Sequence, residues 1–154
     1  MNATASLLST ETLSFWEHFH NAGAWNKTHE TGYFLHQTRL ILAQERGDAL
    51  WLAPFVPRAW LADGKEIAVD GLPTRFGKAG YRIRSSAGKG TIEATVRAPT
   101  RSAPREIVLR LRHPEGKRLR SVRVGGNPHD RFDPAREAIF IDPAPVEVSI
   151  RAEY

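Results

Sequence analysis

The sequence predicts a mainly β protein, an antiparallel β-sandwich of about seven or eight strands preceded by an α-helical hairpin. Two observations predict this fold class. Apolar residues follow a helical spacing up to Gly47, and from Leu72 onward they alternate with polar residues. Turn-forming residues separate the alternating segments at intervals of roughly 10–14 residues, as in sandwiches. We therefore expect a helical hairpin over residues 1–48 and a C-terminal β-sandwich domain over residues 49–154.

Two helices are expected in the hairpin. Residues 10–22 place Trp16 and Phe19 on one helical face. A second helix is expected from about Glu30 to Arg46, because Gly47 is a typical C-terminal stop. Both helices carry large aromatic side chains, and either the β half or a missing partner would have to cover them.

Residues 49–77 are the expected junction between the hairpin and the sandwich. They contain Trp51, Trp60 and three prolines among large apolar residues. Prolines at this density exclude a long helix, so the junction is expected to consist of short strands and corners with a buried face. We expect Trp60 to lie in the core.

Five further strands are expected in the second half of the chain. Their apolar residues alternate with charged or small polar residues, which places the two sets on opposite faces of a sheet. Arg110 and Arg112 fall in the outward set, so replacing either should be nearly neutral for stability. The expected strands lie in residues 80–86, 91–98, 106–113, 118–126 and 145–154.

Composition excludes several classes of function. The chain has 41% hydrophobic and 25% charged residues, which is typical of a globular protein. It has no cysteine, so disulfides and thiolate sites are excluded. No apolar run is long enough for a membrane span, and no signal peptide is visible. His18 and His20 are two residues apart in an expected helix and do not share a face, so no metal site is expected. No cofactor motif is present.

The basic residues are concentrated in the second half, where 17 of the 22 Lys and Arg residues follow Gly71. Such a surface could bind nucleic acid or another polyanion. We favour solvated strand faces, because an RNA-binding sheet would carry exposed aromatic residues among the basic ones. Glu93, Glu106 and Glu147 also interrupt the basic residues. We therefore expect no nucleic-acid partner.

One residue suggests chemistry by its surroundings. Glu17 follows Trp16 in an expected helix of mainly apolar and aromatic character. A carboxylate framed by aromatic rings is typical of a sugar subsite, because rings stack on sugar C–H faces while the carboxylate performs acid–base work. The alternative is a solvated helix glutamate, which the residues alone favour.

The order of these features resembles the C-terminus of the six-hairpin glycosidases, (α/α)6-barrel enzymes that include α-L-rhamnosidase-like proteins. The stretch TLSFWEHF (12–19) is similar to a T-x-W-E segment whose glutamate is the proposed general base. NKTHETGYF (26–34) is similar to the following stretch, whose histidine contacts the sugar. The resemblance implies that Glu17 is the general base, that His29 contacts substrate and that Trp16 flanks the site.

The remainder of the chain resembles the same region of these enzymes. LWLAPFVPRAWL (50–61) is similar to the segment that joins the last barrel hairpin to the terminal sandwich, and residues 107–126 are similar to a turn of that sandwich. A glycosidase needs two carboxyl groups, and the family's general acid lies upstream in the barrel. The resemblance therefore implies a C-terminal portion of a glycoside hydrolase acting on carbohydrate, inactive in isolation and completed by the missing helical barrel or a partner subunit. The alternative is a stand-alone, non-catalytic module that binds carbohydrate or protein.

Overall fold

A computed structural model of the chain describes residues 28–143 and 147–154, with the side chains of residues 28–30 excepted. The chain divides into two compact units, residues 1–40 and residues 41–154. The described part of the first unit is helical, whereas the second unit contains all of the described strands. The expected helix over residues 10–22 lies outside the described residues.

One helix, α1 (Thr28–Leu42), precedes the strands. Its expected end at Arg46 is wrong, because the chain turns into strand β1 (Ala43–Arg46). Pairing with β2 (Ala49–Leu52) across the turn at Gly47 satisfies the β1 backbone, and Gly47 has a φ of 53° there. The sequence of β1, AQER, consists of good helix formers, so the hairpin pairing with β2 overrides helix propensity.

The strands form two sheets, which confirms the predicted mainly β sandwich class. One sheet has five strands in the order β1-β2-β6-β10-β9, and the other has six in the order β3-β4-β5-β11-β7-β8. All described pairs are antiparallel except β2 with β6. The remaining strands are β3 (Glu66–Thr74), β4 (Gly77–Ser86), β5 (Thr91–Arg97), β6 (Glu106–Arg110), β7 (Ser121–Val124), β8 (Asn127–His129), β9 (Phe132–Asp133), β10 (Ala138–Ile141) and β11 (Val148–Glu153).

The described residues contain eleven strands, more than the seven or eight expected. The additional strands are short: β8 has three residues and β9 has two. Such segments are too short to show an alternating pattern in the sequence. The long strands β4, β5 and β11 lie within three residues of their expected bounds at each end.

Apolar side chains from both sheets form the core of the second unit. The described buried set includes Leu50, Leu52, Ile83, Ile92, Ile107, Leu109, Ile139 and Ile150, none of them more than 2% exposed. Burying side chains of this size contributes about 1.5–3 kcal/mol each. Val108, expected on the outward face of its strand, is also buried, because β6 lies between β2 and β10 in the middle of its sheet.

Trp60 is not in the core as expected, since its exposed fraction is 36%. It lies in a short 3-10 helix, Arg58–Leu61, which begins after Pro57. Successive residues of a 3-10 helix point about 120° apart, so Leu61 enters the core while Trp60 points away from it. Leu61 is 1% exposed, so the core residue of this segment is the leucine and not the tryptophan.

A buried polar cluster lies beside the end of β6. His113 is fully buried, with Nε2 3.3 Å from the carbonyl oxygen of Ala87, and its Nδ1 accepts a hydrogen bond of 3.2 Å from the backbone N–H of Glu115. Its ring centroid is 5.1 Å from that of Tyr154, whose hydroxyl donates a 2.9 Å hydrogen bond to the carbonyl of Leu111. These bonds hold the C-terminal strand and the chain after β6 together.

Candidate functional site

The residues that the resemblance selects lie at or beyond the edge of the described structure. Glu17 and Trp16 lie outside the described residues. His29 lies in the first turn of α1, but its side chain is outside the described part. The proposed roles of these three residues therefore remain predictions.

A groove lies beside the exposed ring of Trp60, and we call it the Trp60 groove. Its volume is about 540 Å³. One wall is the 3-10 helix that carries Trp60, and the other is strand β3. The lining residues are Leu42, Ala59, Trp60, Lys65, Glu66, Ile67, Ala68 and Val69.

Strand β3 contributes main-chain groups to this groove. Among the described strands it is an edge of the six-stranded sheet, paired with β4 alone. The Ser85 N–H donates a 2.9 Å hydrogen bond to the carbonyl of Lys65. This bond shows which residues of β3 face β4 with their backbone groups. Because hydrogen-bonded positions alternate in an antiparallel pair, the backbone groups of Glu66 and Ala68 point away from β4. The groove therefore offers both N–H donors and carbonyl acceptors.

Glu66 is an ionised acceptor at the groove. Its carboxylate accepts hydrogen bonds from Arg84 Nε at 2.7 Å and from Arg82 Nη1 at 2.9 Å. The hydrogen bond from Arg84 is the largest of the effects that hold the pKa of Glu66 below its usual range. A carboxyl with a lowered pKa accepts hydrogen bonds well but does not serve as a general acid near neutral pH. Lys65, exposed beside it, is a donor.

A second cleft, of about 310 Å³, contains two carboxylates but is not arranged for catalysis. Arg97 contacts both of them: it donates a hydrogen bond to Asp70, and its Nε lies 3.9 Å from Glu147. Tyr81 also lines this cleft, but its side chain is 3% exposed, and burial raises the pKa of its hydroxyl. Both carboxylates therefore lie within ion-pair distance of the same guanidinium, whereas a glycosidase uses its two carboxyl groups on the scissile bond.

Glu137 is the buried carboxylate among the described residues, 7% exposed. Both of its oxygens accept hydrogen bonds of 2.8 Å from Arg58. A bidentate pair of this kind fixes the position of the carboxylate, because both of its oxygens are bound to one planar guanidinium. Glu137 lines neither the Trp60 groove nor the second cleft.

The side chains of Arg110 and Arg112 are less exposed than the sequence predicts. They point outward, as alternation predicts, but both are only half exposed. Arg110 donates 2.9 Å hydrogen bonds to the carbonyls of Pro54 and Arg136, and Arg112 donates one to the carbonyl of Val56. These hydrogen bonds argue against nearly neutral replacements and lead us to expect a loss of stability from each, because each would leave backbone carbonyls without these donors.

The sequence analysis identified Trp60 but not its neighbours in the groove. Asp63 and Gly64 reverse the chain, so Lys65 and Glu66 come to lie beside a tryptophan only a few residues earlier. The Asp63–Gly64 pair is a turn signal from which this reversal could have been predicted. The sequence did not indicate that the tryptophan lies outside the core.

Metal ligands and membrane-spanning helices are the two remaining features to consider in the described residues. Across the described residues, His, Asp and Glu side chains do not gather in groups of three that could hold a metal ion. The helical segments there are too short or too polar to cross a bilayer.

Comparison with known proteins gave partial similarities. No protein-family model and no curated protein matches the chain. An uncharacterized protein of Listeria monocytogenes EGD-e, crystallised with glucose, magnesium and calcium, is similar over 68% of this chain and 10% of its own, at 7% identity and a TM-score of 0.44. A glycoside hydrolase is similar over 91% of this chain and 24% of its own, at 12% identity and a TM-score of 0.46. This chain thus spans less than a quarter of either structure.

Proposed function

We propose that this chain is a carbohydrate-binding accessory β-sandwich of a glycoside hydrolase, inactive in isolation, and that its Trp60 groove binds the sugar chain. The single observation that carries the binding role is the exposed Trp60 ring in a groove with the ionised Glu66. An aromatic face stacks on sugar C–H groups, and carboxylate and main-chain groups bond to sugar hydroxyls. The link to a glycoside hydrolase rests on the resemblance of residues 12–34 and 50–61, with which the mainly β fold agrees.

The expected lack of activity in isolation is supported by the contacts of four described carboxylates. Glu66, Asp70, Glu137 and Glu147 each contact an arginine. In the completed enzyme, Glu17 would act as general base and His29 would contact the sugar, with Trp16 beside them. The missing helical barrel or a partner subunit would supply the general acid. The chain alone should release no nitrophenol from 4-nitrophenyl α-L-rhamnoside above the blank, and measurable release would contradict this assignment.

The binding role is tested with the full chain and neutral polysaccharides in affinity gel electrophoresis. We expect retardation of the wild type and loss of retardation in Trp60→Ala, since truncating the ring removes the stacking face. Phe55→Ala is the matched control, because Phe55 is also an exposed aromatic residue, 49% exposed, and does not line the groove. Equal behaviour of the two variants, or no retardation of the wild type by any polysaccharide, would rule out the Trp60 groove as a sugar site.

One observation favours a second candidate, a module that binds protein. The outward backbone groups of Glu66 and Ala68 lie along an edge strand, and an extended peptide can add to such an edge as a further strand. This alternative predicts that groove binding depends on main-chain pairing and not on the Trp60 ring. Retention of a peptide partner by Trp60→Ala, with no glycan bound by the wild type, would support it.

A further inference from the structure

The Trp60 groove presents main-chain hydrogen-bonding groups that the neighbouring strand does not use. Glu66 and Ala68 lie on the edge strand β3, at positions where the backbone N–H and C=O groups point away from β4. Both residues are exposed and line the groove. Their main-chain donors and acceptors are therefore accessible to a ligand that enters the groove.

The part of this edge that a ligand can use is short. Towards the C-terminus, a register shift between Val69 and Leu72 interrupts the pairing of β3 with β4. Towards the N-terminus, the Lys65 N–H already donates a 3.0 Å hydrogen bond to the carbonyl of Ala62. Two outward positions lie between these limits. An added peptide strand gains its affinity from a row of main-chain hydrogen bonds, so this edge suits a small polar group better than an extended strand.

The lining of the groove is mainly apolar. The apolar lining residues are Leu42, Ala59, Trp60, Ile67, Ala68 and Val69. Ala59 lies in the 3-10 helix and Ala68 in β3, so each wall of the groove carries a small side chain. A plain hexose offers mainly hydroxyl groups besides its C–H faces, and hydroxyl groups gain nothing from contact with apolar side chains. The lining therefore favours a sugar that carries an additional apolar group.

A 2-acetamido sugar has both features that the groove favours. Its acetamido oxygen can accept a hydrogen bond from a main-chain N–H, and its methyl group can pack against apolar side chains. We propose that the Trp60 groove binds a 2-acetamido sugar, with the acetamido oxygen on the main-chain N–H of Ala68 and the sugar ring on Trp60. A hydroxyl of the same sugar donates to the main-chain carbonyl of Glu66. That the ligand is a saccharide rests on the proposed function.

The experiment compares the β-1,4-linked tetramer of N-acetylglucosamine with cellotetraose, by titration calorimetry on the full chain. The two tetramers share the sugar ring and the linkage, and they differ in the group on C2. We expect the acetamido tetramer to bind about tenfold more tightly, because it adds a carbonyl acceptor and a methyl group that becomes buried. In amide-resolved NMR, the N–H of Ala68 should shift more with the acetamido tetramer than with cellotetraose.

Ala68→Pro tests the proposed hydrogen bond, because proline removes the N–H of this residue without removing a bond to β4. This variant should lose several-fold more affinity for the acetamido tetramer than for cellotetraose. Ala68→Val is the matched control, since it keeps the N–H while adding side-chain bulk, and it should keep the preference of the wild type. Circular dichroism checks that both variants are folded. The comparison of the two tetramers on the wild type needs no variant, so it decides the question even where Ala68→Pro does not fold.

Equal affinity of the wild type for the two tetramers would overturn the inference, as would an equal preference in Ala68→Pro and Ala68→Val. Tighter binding of a capped five-residue peptide of alternating threonine and valine would assign the edge to strand addition instead. Failure of the proposed function gives a different result, because the wild type then binds neither tetramer and no neutral polysaccharide. Equal binding of both tetramers that is lost in Trp60→Ala would leave the sugar-binding role intact and remove only the acetamido preference.

Discussion

Arg58 and Glu137, 79 residues apart in the chain, form a two-point ion pair, with Nη1–Oε1 and Nη2–Oε2 distances of 2.8 Å each. Arg58 Nη1 also donates to the carbonyl of His113. Glu137 has a φ of 53°, which is uncommon for a residue with a side chain, and its carbonyl accepts a 3.1 Å hydrogen bond from Leu111. The pair therefore connects the 3-10 helix to the chain segments after β6 and before β10.

Glu137→Gln should lower the free energy of unfolding by about 2 kcal/mol. The change leaves the Arg58 guanidinium without its counter-charge, and removing one partner of a buried pair typically costs about 3–5 kcal/mol. The Arg58 side chain is 38% exposed, so water compensates part of that cost. Urea denaturation measures the loss.

Glu93→Gln is the control, because both members of its pair with Arg151 are about half exposed, and its expected loss is below about 1 kcal/mol. Equal losses in the two variants would show that the pair of Arg58 with Glu137 stabilises the chain no more than an exposed ion pair does.

Leu61→Ala should destabilise the chain far more than Trp60→Ala does. Leu61 is 1% exposed, and truncating a buried leucine costs about 2–5 kcal/mol. Trp60 is 36% exposed and borders an open groove, so its truncation leaves no closed cavity and should cost less than about 2 kcal/mol. Denaturant unfolding of both variants provides the comparison. A larger loss in Trp60→Ala would place the tryptophan in the core, as the sequence pattern suggested.

The regular part of the sandwich could be predicted from the sequence. Strands β4 and β5 alternate cleanly, with Ile83 and Ala94 buried and Arg82 and Glu93 exposed. Such strands have one face on the core, so the two-residue period of the backbone appears directly in the sequence. In strand β6 the burial departs from this period, because Val108 of the outward set is also buried, with Trp51 and Phe140 as its cross-strand neighbours.

Other features depend on contacts that a local pattern does not contain. Trp60 and Leu61 are adjacent and both apolar, so only the phase of the 3-10 helix determines which is buried. Arg112 is half-buried because Val56, 56 residues earlier, places a carbonyl within its reach. The helix α1 ends four residues early because β2 pairs with the residues that follow it.

The candidate site was predictable only in part. The sequence identified Trp60 as important but placed it in the core, and it did not bring Glu66 to its side. Glu17 and His29 were selected through the resemblance, and their roles remain predictions. Local patterns describe faces of helices and strands, whereas a groove between a 3-10 helix and an edge strand is a tertiary feature.

The ion pairs of Glu66 should stabilise the chain in a pH-dependent way. Arg84 and Arg82 lower the pKa of Glu66 relative to the unfolded chain, where it is about 4.3. A lowered folded pKa contributes stability above the unfolded pKa, and that contribution is lost as the pH falls through the folded pKa. The wild type should therefore have a higher urea midpoint than Glu66→Gln at pH 7, and the difference should shrink as the pH falls below the unfolded pKa. A pH-independent difference would contradict the contribution of ionisation.

The hydroxyl of Tyr154 should make stability sensitive to alkaline pH. The side chain is 4% exposed, and burial is the main cause that raises its pKa above the usual value of about 10. A raised folded pKa contributes stability below the unfolded pKa, and that contribution is lost as the pH rises towards the folded pKa. Tyr154→Phe removes the hydrogen bond to Leu111 and should cost about 1 kcal/mol at pH 8.

At about pH 11 the urea midpoint of Tyr154→Phe should be closer to that of the wild type. The tyrosine of the unfolded wild type ionises at this pH, which lowers the stability of the wild type, whereas phenylalanine has no group that ionises. Tyr33→Phe is the matched control for the loss of one hydroxyl, since Tyr33 is 66% exposed. A gap between wild type and Tyr154→Phe that stays the same as the pH rises would mean that Tyr154 ionises as easily in the folded chain as in the unfolded chain. The hydroxyl would then have access to solvent, and the closed packing of His113, Leu111 and Tyr154 at the end of the sandwich would be wrong.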